Sequence, residues 1–252
     1  IINIVDRKFV LRYNLHMLRI ENLSYNIADE NSEKEILNNV TFKFDKNKIY
    51  VITGPNGSGK STLVKNIMGI LSPTGGKIFL DEEDITNLPI NERANRGIAY
   101  AFQTPVTFKG LKVKELLDIA SGKTNDFNTL CDYLSKVGLC AKDYINRPLD
   151  DKLSGGELKR IELALVLARK AKINIFDEPE AGIDLWSFDN LTKIFKSLKS
   201  TNIIVSHQTK ILEIADCVVL LKGGQIQKVG KYEEIKPYIQ SSTCGKLRGQ
   251  DE

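Results

Sequence analysis

The fold of this chain is decided by one stretch of nine residues, Gly54-Pro55-Asn56-Gly57-Ser58-Gly59-Lys60-Ser61-Thr62. Its spacing is G-x-x-x-x-G-K-S, the pattern of a phosphate-binding loop. The residues before it, 48–53, are mostly apolar and predict a buried strand, and apolar residues recur at helical spacing from Ser61 to Leu71. The glycines therefore lie between a strand and a helix, which is the context that the pattern requires. The alternative is a glycine-rich turn that matches by chance.

The chemistry of this stretch follows from its residue types. Glycines let the backbone curl so that successive N–H groups point at the same anionic oxygens. The helix after the glycines adds its own unpaired N–H groups and the positive end of its dipole. Lys60 supplies a mobile ammonium group for the β- and γ-phosphates, and Ser61 offers a hydroxyl to Mg²⁺. We therefore predict that the stretch binds a nucleoside triphosphate together with Mg²⁺.

Composition sets broad limits on function. The 252 residues include 36 Lys and Arg against 32 Asp and Glu, a formal net charge of +4 that is spread along the chain. This balance is not typical of a nucleic-acid-binding protein. The sequence has no apolar run of about 18 residues and does not open with a signal-peptide pattern. We expect a soluble, cytoplasmic protein without membrane insertion, built as two average domains or as one large α/β domain with an inserted lobe.

Neither the cysteines nor the acidic run of this sequence favours a metal centre. The four cysteines lack C-x-x-C spacing, and buried thiols in a reducing compartment are expected at Cys131, Cys140, Cys217 and Cys244. A metal or cluster site on these four is the less favoured alternative. The acidic residues 81–84 lack the Gly and terminal Glu spacing of a calcium loop, so we predict a solvated turn there.

The start of the chain fits poorly with the rest of the sequence, because the first methionine is Met17 and a strand pattern begins there. We interpret residues 1–16 as an N-terminal extension, either upstream sequence or a non-native expression remnant, and residues 17–252 as the domain. Apolar residues alternate at 18, 20 and 23 and again at 40, 42 and 44, which predicts an antiparallel, hairpin-like sheet. Tyr25 is suited to stack on an adenine ring, and its alternative is an ordinary half-buried strand tyrosine.

Polar residues follow three further predicted strands at the points where these strands end. The strands span 98–102, 173–176 and 202–206, and the polar residues are Gln103, Asp177 with Glu178, and His207. In an open α/β sheet, such positions face the ligand crevice. Asp177 is suited to hold Mg²⁺ through water and Glu178 to polarise an attacking water, unless the two acids merely open a helix. His207 is either a γ-phosphate contact or a structural histidine.

Between the first two of these strands the pattern becomes helical, over 113–120 and 127–137. We predict an inserted helical lobe over about residues 104–165. Near its end, Leu153-Ser154-Gly155-Gly156-Glu157 precedes a longer helical pattern. Taken alone, a serine and two glycines before a helix are as typical of an ordinary N-cap as of a ligand site.

Together these motifs resemble those of the ATP-binding cassette ATPases, over residues 17 to about 240. The resemblance rests on residues 54–62, Gln103, 153–157, Asp177-Glu178, Ala181-Gly182-Ile183-Asp184 and His207. It implies an α/β fold with a P-loop NTPase (RecA-like) core, an antiparallel β subdomain and an inserted α-helical subdomain. It also implies ATP and Mg²⁺ as ligands and ATP hydrolysis as the activity.

The resemblance further implies a head-to-tail homodimer with two ATP molecules held between the subunits. The catalytic residues implied are Glu178, His207, Lys60 and Gln103. The Mg²⁺ ligands implied are Ser61, Gln103 and Asp177. Residues 54–62 and Tyr25 would bind ATP in one subunit, and the opposite subunit would add Ser154, Gly155 and Gly156, with Asp184 coupling the two sites.

Within this family, two stretches are most similar to SufC, the ATPase subunit of the SUF iron–sulfur cluster assembly system. They are residues 101–111 and 178–184, although Leu153 and Pro179-Glu180-Ala181 depart from the residues usual in that group. The partner implied is a SufB/SufD-like scaffold protein whose conformation ATP hydrolysis drives. The alternatives are the nucleotide-binding subunit of an ABC membrane transporter and a binding module that uses ATP only to dimerise.

Overall fold

The computed structural model describes residues 16–29, 32–150, 152–182 and 185–244. They belong to two compact units, of which the first runs to Arg96 and resumes at Ala215, and the second is Gly97–Ile214. Of the predicted N-terminal extension, residues 1–15 lie outside the described residues, and His16 begins the first strand.

The elements of the first unit up to Arg96 are β1 (His16–Asp29), β2 (Ser32–Asp45), β3 (Ile49–Thr53), α1 (Lys60–Met68), β4 (Gly75–Leu80), β5 (Glu83–Asp84) and α2 (Ile90–Asn95). Those of the second unit are β6 (Ile98–Ala101), β7 (Phe108–Lys112), α3 (Val113–Ser121), α4 (Phe127–Lys136), α5 (Ala141–Tyr144), β8 (Pro148–Leu149), α6 (Gly155–Arg169), β9 (Ile173–Asp177), α7 (Leu185–Ser197), β10 (Thr201–Val205) and α8 (Thr209–Leu212). The first unit ends with β11 (Cys217–Lys222), β12 (Gln225–Gly230) and α9 (Tyr232–Cys244).

The predicted antiparallel sheet is confirmed in the first unit. β1 pairs with β2 on one side and with β4 on the other, and β5 extends the order to β2-β1-β4-β5. The alternating apolar residues of β1, namely Leu18, Ile20 and Leu23, are fully buried. This inward alternation is what a sheet with one covered face requires.

The strand before the phosphate-binding stretch is also confirmed in the first unit. β3 is buried at all five positions and pairs in parallel with β11, which pairs antiparallel with β12. The helix after the stretch ends earlier than predicted, at Met68, because Gly69 adopts a left-handed φ of 82°. The guanidinium of Arg93 donates hydrogen bonds to the carbonyls of Asn66 and Ile67 at 2.6 and 2.8 Å, and these bonds satisfy the end of the helix.

The second unit contains three parallel strands in the order β10-β9-β6. Every residue of β9 and β10 is buried, as is typical of a parallel sheet covered on both faces. The helices predicted over 113–120 and 127–137 are confirmed as α3 and α4. The helical pattern did not predict the short antiparallel pair β7 and β8 that accompanies them. The α/β fold class with an antiparallel sheet and a helical segment is confirmed.

Two predictions about metal-binding residue types have different outcomes. The solvated acidic turn is confirmed at Asp81-Glu82, whereas Glu83 and Asp84 form the short strand β5. All four residues are exposed, and Glu83 pairs with Arg96 at 2.7 Å. The buried thiols are wrong for the described cysteine side chains: Cys140 is exposed, and Cys131 and Cys217 are half-buried. Cys140 ends the connection before α5 and Cys217 begins β11, so neither lies inside a packed element. The side chain of Cys244 lies outside the described part.

Within the described ranges, no three or more His, Cys, Asp or Glu side chains are grouped to hold a metal ion. None of the helices that the structure describes has the length and the apolar character needed to cross a membrane.

Candidate nucleotide site

The loop between β3 and α1 has the backbone that its glycines predict. Gly54 has a φ of 147° and Gly59 a φ of 96°, values that favour glycine. A Cβ on Gly54 would lie 1.9 Å from the carbonyl oxygen of Leu221, and one on Gly59 would lie 2.8 Å from that of Ile36. The loop is therefore packed against β2 and β11 so closely that no larger residue fits at either position.

Lys60 lies at the start of α1 and points back at the loop. Its Nζ donates hydrogen bonds to the carbonyl oxygens of Gly54 and Pro55, both at 2.9 Å, and its side chain is buried. The N-cap of α1 is Gly59, which has no side chain to cap the helix, so the positive end of the helix dipole faces the loop. Ser61 and Thr62 come next in the helix and are half-buried.

Ser58 provides a test of whether a phosphate fits this loop. Its backbone is held at both ends, because its N–H donates to Pro55 at 3.2 Å and its carbonyl accepts from Gly224 at 3.3 Å. Its hydroxyl is buried and has no hydrogen-bond partner among the described residues. A buried hydroxyl without a partner costs free energy, and a phosphate oxygen in the loop would supply the missing acceptor. The residues present therefore fit a bound phosphate.

Tyr25 is connected to this loop through one residue of the neighbouring strand, Leu37. It is half-buried in β1 and opposite Leu37 of β2, and the Leu37 side chain in turn packs against Gly59. This placement is compatible with both interpretations of Tyr25, and stacking on an adenine stays a prediction.

In the second unit, Gln103 and Glu178 are brought together. Gln103 follows β6 and Glu178 follows β9, and the Nε2 of Gln103 donates a hydrogen bond to Oε2 of Glu178 at 2.6 Å. Since β6 and β9 are parallel neighbours, their carboxyl ends lie at the same edge of the sheet. The two side chains therefore meet at this edge, and their roles toward a ligand stay predictions.

Asp177 is the last residue of β9 and is buried. Its Oδ2 accepts a hydrogen bond from the hydroxyl of Tyr100 at 2.8 Å. Burial, together with the negative charge of Asp177, raises the pKa of Tyr100 far above its usual range. Tyr100 therefore keeps its proton and remains a donor to Asp177 at physiological pH.

Glu178 turns out of the sheet in a strained conformation. It has a φ of 48°, which is uncommon for a residue with a side chain. Its N–H donates to the carbonyl of Val205 at 3.0 Å, and its carbonyl accepts from the N–H of Ala181 at 3.0 Å. The alternative in which the two acids open a helix is wrong, because α7 begins only at Leu185.

The residue before Gln103 is held by an ion pair that the sequence did not reveal. The N–H of Phe102 donates to Oε1 of Glu162 at 2.7 Å, and Nζ of Lys159 donates to the carbonyl of Phe102. Lys159 and Glu162 form an ion pair at 3.0 Å, with the Lys159 side chain fully buried. Burial raises the pKa of Glu162, and the charge of Lys159 opposes this effect. The only signal in the sequence was an i,i+3 charge pair on a helix.

The segment 153–157 forms the N-terminus of α6, and the N-cap interpretation is confirmed. The hydroxyl of Ser154 accepts from the N–H of Glu157 at 3.3 Å, and the Glu157 carboxylate accepts from the N–H of Ser154 at 2.8 Å, which is a capping box. Ser154 and Gly155 are exposed and Gly156 is half-buried. The N-terminus of α6 thus presents its first turn at the surface, and a second role in binding an anion stays a prediction.

The Glu157 carboxylate is held by several donors besides the cap. The hydroxyl of Tyr144 donates to Oε1 of Glu157 at 2.5 Å, and the Arg147 guanidinium lies 3.3 Å from the same oxygen. The hydrogen bond from Tyr144 and those from Ser154 lower the pKa of Glu157 to about 2. The carboxylate is therefore ionised at any physiological pH.

Two further predicted site residues complete the description. His207 follows β10 and is exposed, with its Nε2 at 3.4 Å from Nε2 of Gln208. Asp184 lies outside the described residues. Their roles toward ATP stay predictions.

Comparison with known proteins identifies a family and relatives of this chain. The family model described as "ABC transporter" matches residues 37–181. An uncharacterized ABC transporter ATP-binding protein of Methanocaldococcus jannaschii is 36% identical over 244 residues, which are 92% of this chain and 96% of that protein. The probable branched-chain amino acid transport ATP-binding protein LivF of Archaeoglobus fulgidus is 36% identical over 211 residues, 81% of this chain and 89% of that protein.

Among solved structures, a dimeric ATP-binding cassette in a post-hydrolysis state, bound to ADP and Pi, is similar to this chain with a TM-score of 0.77. It is 22% identical in sequence, and the match covers 86% of this chain and 99% of that one. This likeness concerns the fold.

Proposed function

Because the chain belongs to the ABC transporter family of ATP-binding proteins, we propose that it is the ATP-hydrolysing subunit of a transport assembly. ATP hydrolysis is the activity of cassettes in this family, and the chain is an ATPase. The observation that carries the hydrolytic part of the proposal is the pair formed by Glu178 and Gln103 at 2.6 Å, because it places a carboxylate and an amide together at the carboxyl edge of parallel strands, where ligands bind in α/β sheets.

The phosphate loop supplies the binding energy for ATP. Its glycine amides and the start of α1 would cradle the β- and γ-phosphates, and Lys60 would exchange its bonds to Gly54 and Pro55 for bonds to phosphate oxygens. The unpartnered hydroxyl of Ser58 supports this role. Tyr25 would stack on the adenine.

Ser61, Gln103 and Asp177 are the residues that would hold Mg²⁺. When bound, Mg²⁺ neutralises negative charge on the phosphate oxygens as the phosphoryl group is transferred. Asp177 is suited to this task because it is buried and because its Oδ2 is already oriented by Tyr100.

Glu178 is the residue that would act on the attacking water. It would accept a proton while the water oxygen forms a bond to the γ-phosphorus, and the bond to the bridging oxygen would break so that its electron pair leaves with ADP. Gln103 orients the Glu178 carboxylate, and His207 would contact the γ-phosphate.

We further propose that two copies form a head-to-tail dimer around two ATP molecules. The exposed first turn of α6 supports this arrangement, because Ser154, Gly155 and Gly156 at its N-terminus are suited to contact the γ-phosphate bound by another copy. Asp184 would couple the two sites. The dimeric state of the solved cassette with ADP and Pi is consistent with this proposal.

The partner we propose is the membrane-spanning part of a transporter, with the cassette on the cytoplasmic side, where ATP is available. The names of the relatives, which are transport ATP-binding proteins, favour this partner. The second candidate is a SufB/SufD-like scaffold for iron–sulfur cluster assembly. It is favoured by the resemblance of residues 101–111 and 178–184 to SufC.

The partner is tested by capture from native cells with a tagged chain, in separate detergent-solubilised membrane and soluble fractions. We expect a membrane-spanning protein in the membrane fraction. Recovery of an iron–sulfur scaffold from the soluble fraction, with no membrane-spanning partner, would overturn the transporter assignment in favour of the second candidate.

Hydrolysis and dimerisation are tested together with Glu178→Gln, which keeps the size and hydrogen-bonding capacity of the side chain but weakens its action on water. We expect phosphate release from Mg²⁺-ATP to fall by about 100-fold or more, and light scattering to show twice the monomer mass with ATP. The matched control is Glu213→Gln, an exposed glutamate of the same unit. A variant as active as the parent, or monomeric with ATP, contradicts the mechanism. Equal activity of the variant and the parent would favour the binding module only if the parent itself released no phosphate.

A further inference from the structure

A buried hydrogen bond joins the two loops that carry Glu178 and His207. The hydroxyl of Ser206 donates to Oε1 of Glu180 at 2.6 Å, and the same hydroxyl accepts from the N–H of Gln208 at 3.1 Å. Ser206 is fully buried and Glu180 is 8% exposed. Glu180 follows Glu178 by two residues and Ser206 directly precedes His207, so this bond links the backbones on which both side chains are mounted.

A second bond links the same two loops through the backbone. The N–H of Glu178 donates to the carbonyl of Val205 at 3.0 Å, which continues the pairing of β9 with β10 by one residue. Glu178 itself is in the left-handed region, a conformation that persists only where surrounding contacts impose it. The bonds through Val205 and Ser206 are such contacts.

The buried carboxyl group of Glu180 destabilises the folded protein. Its Oε2 is buried and finds no hydrogen-bond partner in the part of the chain that the structure describes. Burial raises the pKa of Glu180, and this effect is opposed first by the hydrogen bond from Ser206 and more weakly by His207. Glu178 lies close enough for its charge to raise the pKa of Glu180 slightly. An apolar side chain would avoid the cost of the buried carboxyl, so its presence next to Glu178 points to a functional role.

We infer that Glu180 is a positioning residue for ATP hydrolysis: through its bond to Ser206, it holds the Glu178 loop and the His207 loop at a fixed separation. The inference rests on the proposed ATPase function. Glu180 needs no contact with ATP in this role. It acts by setting where the Glu178 carboxylate and the His207 ring stand when the water attacks.

The consequence for kinetics is specific. The phosphate loop, residues 54–62, belongs to the first unit, whereas Glu180 and Ser206 belong to the second. The bonds of Lys60 to Gly54 and Pro55 are made within the loop itself. Loss of the link should therefore leave ATP binding largely intact and slow the chemical step. A displacement of about 1 Å in a reacting group can cost roughly 100-fold in rate. We expect kcat to fall by about 10- to 100-fold and KM for ATP to change by less than about twofold in Glu180→Ala and in Ser206→Ala.

The chain offers a matched control at the other end of the same strand. Ser200 precedes β10 as Ser206 follows it, and it is also buried with two hydrogen bonds, from Asn174 at 2.8 Å and to Asn202 at 3.2 Å. Ser200→Ala thus removes a comparable buried hydroxyl away from the Glu178 loop. We expect it to lower the melting temperature about as much as Ser206→Ala, with kcat within about twofold of the parent.

A conservative variant separates the hydrogen bond from the charge of the carboxylate, because Glu180→Gln keeps the size of the side chain and an acceptor oxygen. The amide oxygen of Glu180→Gln can still accept from Ser206, so we expect kcat within about threefold of the parent. Each variant is assayed by steady-state phosphate release and by thermal unfolding. If Glu180→Ala fails to fold, the kcat of Ser206→Ala tests the inference, since this variant removes only one hydroxyl.

Three results would overturn the inference: parental kcat in Ser206→Ala, an equal loss in Ser200→Ala, or a Glu180→Gln as impaired as Glu180→Ala. An inactive parent protein would count against the proposed ATPase function instead, so the two failures are distinguishable.

Discussion

The side-chain amide of Gln103 donates a 2.6 Å hydrogen bond to the carboxylate of Glu178. The bond joins the polar residues that follow two neighbouring parallel strands. This bond requires a donor at position 103 and an acceptor at position 178. Each residue therefore constrains the position of the other, and a substitution of Gln103 should change the orientation of the Glu178 carboxylate, which is proposed to act on water.

We predict that Gln103→Glu lowers kcat by about 10- to 100-fold. The substitution keeps the length of the side chain but replaces the donor with a second carboxylate, and like charges at hydrogen-bond distance repel and displace each other. Steady-state phosphate release at saturating Mg²⁺-ATP is the measurement, with Gln225→Glu, on an exposed position of β12, as the control. If Gln103→Glu retains the parental kcat, the bond to Glu178 has no part in catalysis.

The buried ion pair behind Phe102 makes a prediction about stability. Lys159→Met should destabilise the protein by about 3–5 kcal/mol, because it leaves the Glu162 carboxylate buried without its partner. Adding Glu162→Leu should recover much of that loss, since a hydrophobic pair avoids the cost of burying charges. Urea unfolding of the parent, both single variants and the double variant forms a double-mutant cycle. A double variant whose loss equals the sum of the single losses would show that the two side chains do not interact.

Local structure could be predicted from the sequence, whereas long-range contacts such as those of this ion pair could not. The strand, loop and helix around residues 54–62 are predictable because alternation, glycine spacing and helical periodicity are local properties of the chain. Lys159 and Glu162 are read locally as an exposed i,i+3 pair, yet they contact the backbone of Phe102, 57 and 60 residues away. Arg93 ends α1 from a distance of 26 and 27 residues in the same manner. Such contacts depend on the tertiary fold, which periodicity does not encode.

The residues of the candidate site also fall into those that the sequence predicts and those that depend on the tertiary fold. Gln103, Asp177, Glu178 and His207 were found because each follows a predicted strand. Of the residues that orient them, Tyr100 and Ser206 belong to no motif, and Glu180 stands out in the sequence only as a departure from the SufC pattern. Only the folded strands bring these residues within hydrogen-bond distance of their partners. The cysteines were misjudged because the average burial of a residue type says little about the edge of an element, where Cys217 lies.

The capping box at the start of α6 predicts a pH dependence of stability. The folded pKa of Glu157 is lowered from 4.5 to about 2, so the unfolded state binds more protons than the folded state between these values. The stabilisation by Glu157 is therefore present above pH 4.5 and is lost as the pH falls through the folded pKa.

We predict that Glu157→Gln, which can still form a capping box but loses the negative charge at the helix N-terminus, is less stable than the parent at pH 7 by about 0.3–1 kcal/mol. The difference should shrink as the pH is lowered below 4.5. Urea unfolding at pH 7 and at about pH 3 is the measurement. Glu213→Gln, on an exposed residue outside the capping box, should show no such trend. A difference that stays constant with pH would mean that the ionised carboxylate does not stabilise the cap.

The packing of the phosphate loop leads to a comparison between two glycines with similar backbone angles. Gly59 has a φ of 96° and Gly122 a φ of 70°, but a Cβ on Gly59 would lie 2.8 Å from the carbonyl oxygen of Ile36, whereas one on Gly122 would meet open space. Gly122→Ala should therefore cost only the backbone strain, about 1 kcal/mol, and leave ATP binding unchanged. Gly59→Ala adds a clash with the backbone of β2 and should displace the loop. Each lost N–H bond to a charged phosphate costs about 1.5–3 kcal/mol, so affinity for a fluorescent ATP analogue should fall by at least about 10-fold. Equilibrium titration of both variants, after thermal unfolding confirms that each is folded, makes the comparison. Equal affinities would show that phosphate binding tolerates a shift of the loop and that the close approach of Gly59 to β2 serves only packing.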